Sequence, residues 1–63
     1  MYIPSSRERV EITGRSGAFL VVRVDNDAQC AYLISLAGIV YLEENVPFFV
    51  LKPYREAVPL EIE

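Results

Sequence analysis

One cysteine and no histidine in a chain of 63 residues remove the two staples that domains of this size most often use. Cys30 has no second cysteine to pair with in the chain, and a zinc site of ordinary ligand type lacks donors. No carboxylate spacing matches an EF-hand loop, so neither a metal nor any other cofactor is expected. A chain this short buries only about 60% of the surface its unfolded form exposes. Packing and self-association are what remain to hold it. The apolar share, 52%, exceeds the roughly 45–50% of ordinary globular domains and favours self-association.

The apolar residues are spaced for strands. Val10 and Ile12 alternate with Arg9, Glu11 and Thr13. "GRSG" at 14–17 is turn chemistry, and "AFLVVRVD" at 18–25 is rich in β-branched and aromatic residues. Asn26-Asp27 reads as a two-residue hairpin turn. "CAYLISL" at 30–36 is the third strand, Ala37-Gly38 the next turn, and "IVYLEE" at 39–44 the fourth strand. Pro47 stops it, a turn occupies about 47–51, and a short fifth strand follows near Lys52–Arg55. A helix over 28–42 would enclose Gly38 and several β-branched residues and would have no polar face, so strands are preferred.

Those two turns fix a register. Placing 25 opposite 28 and 36 opposite 39 puts Leu20, Val22, Ala31, Leu33, Val40 and Leu42 on one face. The other face collects Phe19, Val21, Tyr32, Ile34, Leu36, Ile39 and Tyr41. Both faces are apolar, whereas a small antiparallel sheet ordinarily leaves one wet. The seven-residue face is therefore predicted to be the interface of a homodimer. Covering ~500 Å² of it per subunit would contribute roughly 12 kcal/mol before association entropy is subtracted. The tail "AVPLEIE", 57–63, is the alternative cover.

Five short strands, a wide central hairpin and a Pro-containing turn before the last strand resemble an SH3-like barrel. The pattern is most similar to the Tudor type, in which an acidic residue, Val-Pro, a one-turn 3-10 segment and Leu-Arg-Pro follow one another. Glu44, Val46, Pro47, Leu51, Lys52 and Pro53 stand in that order here. The resemblance implies one domain over 1–63: an all-β, five-stranded SH3-like barrel at about 8–55, a short 3-10 turn before its last strand, and a tail at 56–63. Tudor domains read methylated Lys or Arg with an aromatic cage drawn from the loops after the first and third strands. The corresponding loops here, "GRSG" and "SLAG", hold no aromatic, so methyl reading is not carried over. Tyr32, Tyr41, Phe48 and Phe49 are assigned to packing.

Chemistry is sparse. Glu43 and Glu44 are adjacent on a strand and point apart, while Asp25 and Asp27 flank a turn. Arg23 lies opposite Cys30 in the derived register, but no imidazole is present to act as base. No catalytic residue is assigned. The net charge is −3, and the basic residues Arg7, Arg9, Arg15, Arg23, Lys52 and Arg55 are dispersed, so no nucleic-acid partner is expected. The longest uncharged run, 28–42, is too short for a membrane helix, and "MYIPSSRERV" has no apolar signal core, which makes a cytoplasmic location the expectation. The function expected is that of a small interaction module that binds a protein or peptide partner and self-associates. The alternatives are a nucleic-acid- or ribosome-associated barrel using Arg7, Arg9, Arg15 and Arg23, and an enzyme whose site forms only at an oligomer axis. The second alternative rests on architectural similarity to type II dihydrofolate reductases.

Overall fold

A computed structural model describes residues 1–55. The predicted tail at 56–63, and its role as a cover, lie outside the described residues. The fold is all-β with one 3-10 turn. Its strands are β1 (Arg9–Ile12), β2 (Phe19–Asp25), β3 (Cys30–Ser35), β4 (Leu42–Pro47) and β5 (Leu51–Pro53), with the 3-10 turn at Phe48–Val50. They form one antiparallel sheet in the order β4-β3-β2-β1-β5. The sheet is open, with β4 and β5 as its edges.

The first connection joins the ends of β1 and β2 through Gly14 and Gly17, both at positive φ. The second corrects the predicted turn. Asp25 faces Cys30, not residue 28, so the loop holds four residues, 26–29. An Asn-Asp pair lacks the glycine that eases positive φ at both centres of a tight hairpin turn. The wider loop is held by the Ala28 N–H donating to Asp25 Oδ1 at 3.1 Å, and Gln29 takes φ 57° at its end.

A β-bulge between Val21 and Arg23 then changes the phase of β2. Val24 pairs with Ala31 on one side of it, and Val21 pairs with Leu33 on the other. Val22 and Arg23 both face solvent. The third connection is also wider than predicted. Ile34 pairs with Leu42, and the Ser35 N–H donates to the Tyr41 carbonyl at 3.0 Å, so 36–41 is a loop and the fourth strand starts three residues later than expected. A second irregularity, opposite Tyr32, places Asn45 at φ 55°.

These shifts decide which face is the core. Val10, Ile12, Phe19, Val21, Ala31, Leu33, Val46, Phe48 and Leu51 are buried together. A one-residue slip in register exchanges the faces of a strand. Phe19 and Val21, predicted on the interface face with Tyr32 and Ile34, thus lie with Ala31 and Leu33 instead. The 3-10 turn carries the chain from one edge strand to the other, and its Phe48 seals the core at 2% exposure. The Phe48 N–H donates to the Gln29 carbonyl at 3.0 Å, which ties this turn to the 26–29 loop.

Candidate functional site

Among the described residues, the outer face of the sheet carries a continuous stretch of apolar side chains outside the core. Because odd-numbered residues of β3 point into the core, Tyr32 and Ile34 point outward. Leu20 pairs with Ile34, and Ile34 with Leu42, so three aliphatic side chains form one cross-strand row. Arg9 pairs with Leu20 and extends that row onto β1 as an exposed cation. Beside the row, the Arg23 guanidinium sits 5.3 Å from the centre of the Tyr32 ring. The Tyr32 hydroxyl donates to Asn45 Oδ1 at 3.1 Å, so the left-handed Asn45 braces that ring from β4.

The row runs into an apolar tip. From Leu36 to Leu42 there is no charged side chain, and Ile39 and Val40 are 83% and 70% exposed. Leu36, Tyr41 and Leu42 are also exposed. Gly38 at φ 74° lets the loop turn without a side chain.

The tip is anchored from below by Arg15 of the 13–18 loop. Arg15 Nη2 donates to Tyr41 Oη at 2.6 Å and to Glu43 Oε2 at 2.8 Å, and its guanidinium lies 5.5 Å from the centre of the Phe19 ring. The Glu43 hydrogen bond and charge, with smaller help from Tyr41, raise the Arg15 pKa above its ordinary value despite partial desolvation. The two loops meet at backbone level too. A Cβ built on Gly17 would stand 3.1 Å from Ala37 Cβ.

Of the seven predicted interface residues, Tyr32 and Ile34 lie half-buried on the outer face, and Leu36, Ile39 and Tyr41 are exposed in the tip. Phe19 and Val21 are core residues, exposed 2% and 0%. Leu20 and Leu42 belong to the outer row and were assigned to the other face. A signal for them was present in the aliphatic character of both positions, but the side of Leu20 depended on the bulge in β2 and that of Leu42 on the length of the third connection. Nothing in local sequence pairs Arg15 with Glu43.

Of the two aromatics of the 3-10 turn assigned to packing, Phe48 is buried, but Phe49 stands 78% exposed and does not join the core. The acidic and thiol candidates have ordinary structural settings. Asp25 caps its turn, and Glu43 and Glu44 do not converge. Cys30 pairs with Asp25, not Arg23, and is a buried thiol 3.7 Å from Asn45 Oδ1. A shallow groove of about 620 Å³ runs past Ile3, Ser5, Val22 and Arg23, too open to shield a small molecule from water. No helix among the described residues is long and apolar enough to cross a membrane. Comparison with protein-family models, curated proteins and solved structures finds no match to this chain.

Proposed function

We propose that this chain is a small interaction module of SH3-like barrel type that self-associates and engages protein or peptide surfaces through the outer row and the 36–41 tip. The observation that carries this reading is the tip itself. Two adjacent β-branched residues, Ile39 and Val40, stand 83% and 70% exposed at the end of an uncharged segment continuous with the Leu20–Ile34–Leu42 row. Scattered apolar residues on a surface need no explanation, but a contiguous patch marks an interaction site.

The strand order supports the SH3-like part of the reading, since the last strand returns beside the first while the middle three form a meander. Among the described residues, both edges of the sheet carry features that resist strand addition. β4 presents Glu43, Glu44, the left-handed Asn45 and Pro47, and β5 is three residues long with Lys52 and Pro53. Docking through side chains is thereby favoured over docking through backbone pairing. A reducing, cytoplasmic setting suits a chain whose one thiol is free.

Dilution followed by two-dimensional NMR tests the reading. Amide signals of 36–42, Leu20 and Ile34 are expected to shift together between millimolar and low micromolar protein. Signals that stay constant throughout that range, together with the diffusion coefficient of a single chain, would refute self-association at this surface.

A further inference from the structure

We propose that a second copy docks on the outer face about a two-fold axis that runs parallel to the strands between β2 and β3, an inference that rests on the self-association reading above. The outer face is charge-asymmetric across the strands. On its β1 side Arg9 is exposed at the end of the aliphatic row, while Glu11, the other outward residue of that strand, is already held by Lys52 at 3.8 Å. On its β4 side Glu44 is exposed, two residues beyond Leu42 on the same face. Within one chain β2 and β3 separate Arg9 from Glu44, about 14 Å at ordinary strand spacing, so the two do not satisfy each other.

Two sheets packed face to face keep their strands within about 30° of each other, and a two-fold axis between them can run along the strands or across them. An axis across the strands lays β4 over β4. It sets Glu44 against Glu44 of the partner subunit and Arg9 against Arg9 of the partner subunit, which like charges disfavour. An axis along the strands exchanges the sides. Leu20 then meets Ile34 of the partner subunit, and Arg9 comes within side-chain reach of Glu44 of the partner subunit. Tyr32 and its stacked Arg23 lie over their exchanged counterparts, and both apolar tips point to the same end of the dimer. Charge selects the second arrangement.

The test is reciprocal charge reversal read by sedimentation equilibrium. Arg9→Glu alone and Glu44→Arg alone each create two like-charge contacts per dimer and are expected to weaken dimerisation about tenfold. An equimolar mixture of the two variants recovers wild-type affinity, because each subunit then offers the charge the other lacks. The chain carrying both reversals recovers it as well, and circular dichroism checks that each variant keeps its sheet. Single variants that dimerise like wild type would overturn the axis while leaving self-association standing, as would a mixture that fails to recover. A wild-type chain that stays monomeric would overturn the underlying reading too.

Discussion

Arg15 and Glu43, 28 residues apart in the chain, meet with Nη2 2.8 Å from Oε2. Glu43 lies on edge strand β4, and Arg15 in the loop between β1 and β2, so this contact spans β2 and β3 on the core side of the sheet. The guanidinium also covers the Phe19 ring and holds the Tyr41 hydroxyl. One side chain thus closes the end of the core and positions the last residue of the apolar tip. Arg15→Ala is expected to lower the melting temperature by a few degrees at low salt, and by less at high salt, because both partners are partly solvated. Arg15→Lys is expected to recover only part of this: one ammonium can serve both acceptors, as Nη2 does, but it has no planar group to lie over the Phe19 ring. Thermal melts at two ionic strengths check both statements.

The same junction makes Gly17 sensitive. Its φ of 93° is a conformation that side chains disfavour, and an added methyl would press on Ala37. Gly17→Ala is expected to cost about 1–2 kcal/mol in urea denaturation, with Gly14→Ala costing less, because nothing lies within 4 Å of a Cβ at Gly14. Equal costs at the two glycines would contradict the close approach of the loops.

Neighbouring residues on β3 separate the faces. Leu33 is fully buried, and Leu33→Ala is expected to cost about 2–5 kcal/mol through lost contacts and a residual cavity. Ile34 lies half-buried on the outer face, so Ile34→Ala is expected to cost under about 1 kcal/mol in the folding of the monomer. Denaturant titration at low protein concentration distinguishes them, and the reverse ordering would exchange the faces.

Tyr2 adds a pH dependence. Its ring packs on the core, and its hydroxyl is sealed from water with no partner in hydrogen-bonding geometry. Burial, and then the neighbouring Glu8 carboxylate, push the phenol above its usual value near 10. The folded state therefore holds this proton more tightly than the unfolded one. Its contribution to stability is complete below the unfolded value and is lost as pH climbs above it. Tyr2→Phe is expected to leave stability at neutral pH within about 1 kcal/mol and to flatten the alkaline limb above pH 10. A steep limb that survives the substitution would assign it to other groups.

Strand content was legible in the sequence because β-branched and aromatic residues cluster between Gly, Pro, Asn and Asp, and the 3-10 turn at Phe48–Val50 falls inside the predicted 47–51. Register was not. It depended on turn lengths that residue types alone left open: the Asp25 cap on Ala28 and the left-handed Gln29 widen one loop, and the Ser35–Tyr41 hydrogen bond leaves 36–41 as another. The bulge at Val22 then broke the alternation that assigns faces. Phe19 and Val21 moved from the predicted interface to the core for that reason alone. Tyr32, Ile34, Leu36, Ile39 and Tyr41 remain at the surface because the slip altered their partners and left them outside the core.

Sedimentation equilibrium of the wild-type chain beside Ile34→Glu tests self-association through the outer face most directly. At tens of micromolar the wild type is predicted to show about twice its 7.1 kDa chain mass. Ile34→Glu places a charge in the middle of the apolar row and is predicted to show the single-chain mass with an unchanged β-sheet spectrum. A wild-type mass of one chain at that concentration, or a dimer that survives Ile34→Glu, would contradict the account.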